Sequence, residues 1–252
     1  MNRSRLLVLA ASLLAAQGAA AQATVKEDGN WRASLGAAYS QARGNTDSSN
    51  FALQADAVRA TERDKWSLNA KALYAQTDGN ETANQMRAGT RYDWNLSPRV
   101  FLFGGLDLER DEVALLDLRH TVSAGAGYKV FKRPDLTWDV IGGVGHVGDR
   151  YAAPRPVDDA LRSRYRYATA LLGQESTHRF TETTTGKQRL VVYPNLSNTG
   201  EYRAEWDLGV AVAINKTLSL TAGFAWRYNS DPGPALRKTD TLLTTGIAMK
   251  FE

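Results

Sequence analysis

The sequence predicts an all-β fold, a transmembrane antiparallel up-and-down β-barrel of about twelve strands. Three observations carry this prediction. Apolar and polar residues alternate along most of the chain, short turns alternate with longer polar connections, and past the N-terminus no segment has about 18 uninterrupted apolar residues. Because a helical span needs such a segment, strands are the elements that could cross a membrane here.

The N-terminus reads as a secretory signal peptide. Arg3 and Arg5 precede an apolar stretch over 6–16, and Ala19–Ala20–Ala21 and Ala21–Gln22–Ala23 each fit an A-x-A cleavage site. We therefore divide the chain into a signal peptide at 1–23 and a barrel at 24–252, with Gln22 as the alternative first mature residue. The chain has no cysteine, so disulfides and a lipid-modified N-terminus are not expected.

Alternation with a period of two defines the strands. Between Trp31 and Tyr39 every second residue is apolar, while Arg32 and Ser34 occupy positions between them. Together with turn residues, the pattern predicts strands at 31–43, 49–59, 65–76, 82–94, 99–110, 118–131, 136–146, 163–177, 187–194, 201–214, 218–228 and 240–251.

The connections between these strands indicate which end faces which compartment. Short turns such as 95–98 and 215–217 alternate with longer polar segments. Outer-membrane barrels have short turns on the periplasmic side, which places both termini there. The longest connection, at 147–162, is expected to be a loop that narrows the pore, makes a surface contact or is simply mobile.

Tryptophans are sorted by strand end. In the predicted topology four fall at the periplasmic ends of strands and two near the outer ends, and all should face outward: Trp31, Trp66, Trp94 and Trp138, then Trp206 and Trp226. From Trp31 to Tyr39 a tilted strand rises roughly 20 Å, close to the apolar band of roughly 25 Å between aromatic girdles. A soluble β protein, the alternative, has no reason for this sorting.

The C-terminal strand adds a separate signal. The spacing of Gly246, Met249 and Phe251 resembles the insertion signal of outer-membrane barrels, which implies the barrel-assembly machinery as a partner. Glu252 departs from that pattern because phenylalanine is usually the last residue. An ordinary edge strand is the alternative interpretation.

Several short motifs follow one another along the chain, and their order and spacing are informative. They are Gly44–Asn45–Thr46, Tyr92–Asp93–Trp94, Arg119 with Gly125-x-Gly127–Tyr128, Glu175–Ser176 and Lys238-x-Asp240. In these stretches the chain resembles the salt-induced outer-membrane protein family, domain of unknown function 481. The resemblance implies an outer-membrane barrel without an assigned function, and no catalytic or ligand residues follow from it.

Charge limits the classes of partner. The predicted signal peptide takes two of the 31 basic residues and none of the 27 acidic ones, which leaves 29 against 27. A nearly balanced chain has no basic footprint for nucleic acid. We expect outer-membrane lipid and small polar solutes as partners, a monomeric state and no cofactor or metal.

The polar faces of the strands should point into the barrel. The candidate lumen charges are Arg87, Arg91, Asp107, Glu109, Glu205 and Arg227. If the turn at 95–98 centres its hairpin, Arg87 faces Asp107 and Gln85 faces Glu109; the turn at 215–217 likewise sets Glu205 opposite Arg227. We expect these pairs to lie along the wall. A hydrated lumen that passes small polar solutes and a nearly closed barrel rigidified by salt bridges both fit.

Two histidines fall near the outer rim. His120 and His146 share their parity with apolar residues, so both should face outward, and the turn near Arg133 sets His120 opposite 146 or 147. Interfacial rim residues, a metal site and a lipid-headgroup site are the alternatives.

The function indicated is a narrow passive channel or envelope protein with a solute-related or osmotic role. We expect no enzymatic activity, since Ser123, three residues from His120, faces the other side of the strand and is not placed to use that histidine as a base. An outer-membrane enzyme with a site at the outer rim and a purely structural or adhesive barrel are the alternatives.

Overall fold

The computed structural model describes residues 23, 25–42, 47–157, 160–232 and 236–251. They form a closed barrel of twelve antiparallel strands in chain order, β1 pairing with β12. The strands are β1 Trp31–Ala42, β2 Ser48–Ala60, β3 Asp64–Thr77, β4 Asn80–Asn95, β5 Val100–Asp111, β6 Leu116–Lys132, β7 Leu136–Val157, β8 Ala160–Arg179, β9 Thr184–Pro194, β10 Tyr202–Ala213, β11 Leu218–Asn229 and β12 Thr239–Phe251. Within these ranges, no helix is long and apolar enough to cross a bilayer.

The predicted strands are confirmed, with one correction at the outer end. The expected loop at 147–162 is wrong, because β7 continues to Val157 and β8 begins at Ala160, and Pro156 pairs with Leu161. Pairing satisfies backbone groups that a loop would leave to water. An irregularity between Arg150 and Arg155 takes up the unequal lengths of the two strands.

The exterior of the barrel is apolar. Large hydrophobic side chains from many strands are between 40% and 61% exposed on this surface: Leu35, Tyr39, Met86, Leu102, Val122, Val144, Leu172, Leu220, Leu243 and Ile247. A soluble protein rarely exposes a continuous apolar surface of this extent. The fold is therefore the predicted transmembrane barrel.

One wall of the interior is apolar, which the polar strand faces did not predict. Phe101 and Phe103 of β5 cluster with side chains of β7, β8 and β9 and are 1% and 6% exposed. The two rings lie on Gly127 and Gly125 of β6, where a Cβ atom would come within 2.1 Å and 2.8 Å of them. Glycine in β6 therefore makes room for aromatic rings inside the barrel.

The seam between the first and last strands is short. β1 pairs with β12 over five residue pairs, from Ala33–Phe251 to Ala37–Ile247. On its other side β1 pairs with β2 over its whole length, from Trp31 to Ala42. Among the described residues, the outer half of β1 therefore has a backbone edge that β12 does not cover.

Candidate functional site: the charged lumen

Charged side chains from opposite walls meet inside the barrel. β4 and β10 are separated by five strands in either direction around the closed sheet. Even so, Arg87 Nη1 of β4 lies 3.4 Å from Glu205 Oε1 of β10. An arginine and a glutamate that meet across the bore form a bridge between two facing walls.

Arg87 belongs to a continuous series of ion pairs that follows the bore. Its Nη2 donates to Glu109 Oε1 at 2.7 Å, and Glu109 lies 3.7 Å from Arg119, which holds Asp149 at 2.6 Å. These contacts extend the network toward the outer end of the barrel.

The same network continues toward the short-turn end. Glu205 lies 3.6 Å from Arg189, which lies 3.2 Å from Glu175, and Glu175 accepts from Arg91 at 2.8 Å. Arg91 in turn donates to Asp93 at 2.6 Å. The contact between Arg91 of β4 and Glu175 of β8 is a second bridge between strands that are not neighbours.

Part of the network borders open space. Lys71 of β3 lies 3.5 Å from Asp207 of β10, and their side chains are 39% and 24% exposed although both face inward. Arg189 is 35% exposed. The network therefore borders open space beside Lys71, Asp207 and Arg189.

The predicted partner of Arg87 is wrong by two residues. Arg87 is opposite Glu109, Gln85 is opposite Asp111, and Asp107 is opposite Gly89, over which its carboxylate lies. The turn that ends β4 at Asn95 is centred one residue later than assumed. A shift of two positions on one strand keeps every side chain on its predicted face.

The second predicted pair is correct in register. Glu205 is opposite Arg227, as the turn at 215–217 implies. The Arg227 Nη2 atom, however, donates to Asp207 at 2.7 Å, while Glu205 contacts Arg87 and Arg189. The expectation that the pairs lie along the wall therefore fails for Arg87 and Glu205, which bridge the bore.

Sequence reasoning missed Glu175 and Arg189 as members of this network. Glu175 lies on β8 and Arg189 on β9, and these are the two strands in which the alternation of polar and apolar residues is weakest. One signal in the sequence could have identified Arg189. Lys187 and Arg189 are two residues apart on β9, so their charged side chains lie on the same face of the strand.

The outer mouth of the barrel is lined by arginines and tyrosines. Arg155 stacks over Tyr151 at 4.6 Å, and Arg203 stacks over Tyr193 at 5.3 Å. A small cavity of about 50 Å³ lies among the lining side chains. Asp149, which Arg119 holds, lies at the base of this vestibule.

Residues before β1 lie at the opposite mouth. Glu27 forms a 2.8 Å ion pair with Lys132 at the end of β6, and the carbonyl oxygen of Ala23 accepts from Lys187 Nζ of β9 at 3.4 Å. Arg32 donates to Asp28 and holds the pKa of that carboxyl well below its ordinary value. The described residues of this segment thus contact strands distant from β1. The predicted signal peptide at 1–23 lies, apart from Ala23, outside the described part of the chain.

The tryptophans lie at the strand ends where the sequence placed them. Trp31, Trp66 and Trp94 are about half exposed, and Trp31 and Trp66 are 6.1 Å apart. Trp138 stacks on Phe131 at 5.8 Å near the same end. Trp206 and Trp226 are direct register partners on β10 and β11. Their role as interfacial anchors stays a prediction.

The residues of the C-terminal motif lie on β12. Met249 and Phe251 face outward, 42% and 50% exposed, and Gly246 is opposite Thr221. Recognition by an assembly machinery stays a prediction, and Glu252 lies outside the described residues, as do Gly44, Asn45 and Thr46.

The register predicted for the two rim histidines is wrong. His120 is opposite Gly148 and His146 is opposite Val122, so the two are diagonal rather than direct neighbours. A Cβ atom on Gly148 would lie 2.3 Å from the His120 ring, which therefore covers this glycine. Across the described ranges, no group of three or more potential metal ligands occurs.

Comparisons with known proteins give one family match and several similar solved structures. A family model with the description "Protein of unknown function, DUF481" matches residues 19–251. A comparison with curated proteins gives no match. Among solved structures, the NanC porin is 10% identical with a TM-score of 0.47, covering 87% of this chain and 97% of its own.

Two further solved structures are similar at the same level. The KdgM porin in complex with disordered oligogalacturonate is 11% identical with a TM-score of 0.46, over 88% of this chain and all of its own. The translocator domain of autotransporter NalP from Neisseria meningitidis is 10% identical with a TM-score of 0.47, covering 90% of each chain.

Proposed function

The chain belongs to the family described as "Protein of unknown function, DUF481", and we propose that it is an outer-membrane barrel with a narrow hydrated passage for small polar solutes. The single observation that carries the proposal is the arrangement of charge in the bore. Ion pairs bridge the walls at Arg87–Glu205, yet side chains such as Lys71 remain open to water beside them.

The outer-membrane location is supported by three features of the chain itself. These are the predicted signal peptide, the apolar exterior and the tryptophans at the strand ends. A closed barrel leaves few backbone groups unpaired, as the bilayer core requires.

The bridges set the properties of the passage. Each one occupies space that would otherwise belong to the pore, so only ions and small solutes fit beside it. The pairs carry both signs, whereas selectivity for cations or anions comes from rings of a single sign. We expect small conductance with weak preference for either sign.

A closed structural barrel is the second candidate. The buried cluster around Phe101 and the two bridges from β4 favour it, because together they fill much of the bore. In this alternative the ion pairs only rigidify the wall. An enzyme at the outer rim has less support, since the described Ser176–His178 contact of 3.2 Å lies at the short-turn end.

Single-channel recording in planar bilayers tests the proposal. The purified protein should give small, reproducible steps, and Lys71→Gln should shift the reversal potential toward cation selectivity because Asp207 loses its lysine. The matched control is Arg110→Gln, since Arg110 lies on the exterior rim and pairs there with Glu112. An absence of steps from folded protein, or equal shifts in both variants, would reject the passage.

A further inference from the structure

Three arginines face outward near the outer end of the β7–β8 hairpin. Arg150, Arg164 and Arg166 are exposed, whereas the alternating residues Tyr165 and Tyr167 are buried inside. Side chains of opposite parity leave a strand on opposite faces. The arginines therefore project from the lipid-facing surface and not into the vestibule.

The register places two of these charges directly against each other. Arg150 is opposite Arg164, and Arg166 lies two positions further along the same strand. Like charges directly across antiparallel strands repel each other. Arg150 donates to Asp117 at 2.6 Å, but neither Arg164 nor Arg166 forms an ion pair with any acid among the described residues. Among the described residues, Asp117 is thus the one carboxylate paired with the three arginines.

The height of the cluster can be worked out from the strand. Gly148, the register partner of Arg166, is ten residues above Trp138, and Arg150 is twelve above it. With a rise of about 3.3 Å and a tilt of about 40°, these positions lie roughly 25 Å and 30 Å above Trp138. The apolar band is roughly 25 Å tall, so the arginines reach the level of the outer headgroups.

Apolar side chains continue below the arginines on the same face. Val144 of β7 is 61% exposed and Leu172 of β8 is 59% exposed. A ligand that satisfies both parts of this surface has an anionic head and hydrocarbon chains. Guanidinium groups bind phosphate with two parallel hydrogen bonds.

We propose that Arg150, Arg164 and Arg166 bind the phosphate groups of a lipid in the outer leaflet. The site rests on the membrane placement proposed above but not on passage through the lumen. His146 lies on β7 two residues before Gly148, the register partner of Arg166, and its imidazole is exposed on the same face. In the proposed site it donates a further hydrogen bond to the same head group.

Native mass spectrometry of the full barrel in neutral detergent tests this site. The probes are lipid A, the same lipid without its phosphates, and inorganic phosphate. We expect lipid A to bind, and the double variant Arg164→Gln/Arg166→Gln to weaken its binding by at least about tenfold, since two charged donors to the phosphates are lost. Arg133→Gln is the control, because Arg133 is an exposed arginine at the opposite rim.

Each outcome decides for or against the site. Preference for the phosphorylated lipid that is lost in the double variant and retained in the control supports it. Equal binding of the lipid without phosphates, equal loss in the control, or inorganic phosphate binding as tightly as the lipid would overturn it. The measurement does not involve conductance, so a barrel that binds lipid A but conducts nothing would keep this site and reject only the passage.

Discussion

Neutralising Arg87 should destabilise the barrel and change its ion selectivity. Its guanidinium contacts Glu109 at 2.7 Å and Glu205 at 3.4 Å, so Arg87→Gln removes the contact between β4 and β10. The glutamine keeps most of the side-chain volume. The change therefore tests the charge of the bridge more than its packing.

The expected loss in the free energy of unfolding depends on which arginine partners Glu109 and Glu205 keep in the variant. Removing one partner of a fully buried ion pair costs about 3–5 kcal/mol because the other charge is left without compensation. Here Glu109 keeps Arg119 at 3.7 Å, and Glu205 keeps Arg189 at 3.6 Å. The Arg87 side chain is also 23% exposed to the lumen. We expect the free energy of unfolding to fall by about 1–3 kcal/mol.

A double-mutant cycle isolates the bridge itself. Arg87→Gln, Glu205→Gln and the double variant are unfolded by urea in lipid vesicles, with Arg110→Gln as the surface control. Direct contact predicts a coupling energy of about 0.5–3 kcal/mol. In planar bilayers Arg87→Gln should also raise conductance and favour cations, because two glutamates lose a cation between them.

Two results would refute the reasoning about the bridge. The first is a coupling energy within about 0.3–0.5 kcal/mol of zero, the range in which independent sites are additive. The second is an unchanged reversal potential in a variant that conducts, because the lumen would then not sense the charge at position 87.

The glycine strand and the seam give two further predictions. Alanine at Gly127 places a Cβ atom 2.1 Å from the phenylalanine ring that lies on it, so overpacking should lower the free energy of unfolding by about 1–3 kcal/mol, seen in a lower urea midpoint. Cysteines at Leu35 and Met249, which are register partners, should oxidise to a disulfide faster than cysteines at Tyr39 and Thr245, where pairing has stopped. Equal rates of cross-linking, read on gels, would mean that the seam is closed along its full length.

Local chemistry was sufficient to predict the wall of the barrel. Alternation along a strand such as β10 determines which side chains face lipid, because successive residues leave a strand on opposite faces. Turn residues such as those at 95–98 set strand limits to within a few residues. The candidate lumen residues Arg87, Glu205 and Arg227 were found for the same reason, since their parity is opposite to that of the apolar face.

Sequence alone missed pairings that depend on small shifts of register. Arg87 pairs with Glu109 and not with Asp107. The sequence also missed that the residues at 147–162, expected to form a loop, extend β7 and β8. A turn centred one residue later moves a partner by two positions without exposing any polar face to lipid. The alternating pattern is identical in both registers, so it has no power to distinguish them.

The interior of the barrel was decided by tertiary structure. The alternating pattern indicates that Arg87 and Glu205 point inward, but it does not indicate that they meet. The two residues are more than one hundred positions apart in sequence, and β4 and β10 are half a circumference apart in the barrel. Likewise, the rings on the β6 glycines fill one wall only because closure brings five strands around them. The sequence by itself determined which face of each strand is the apolar outer face. The closure of the sheet decided which inward side chains contact one another, because contacts across a bore depend on its width and shape and not on any local pattern.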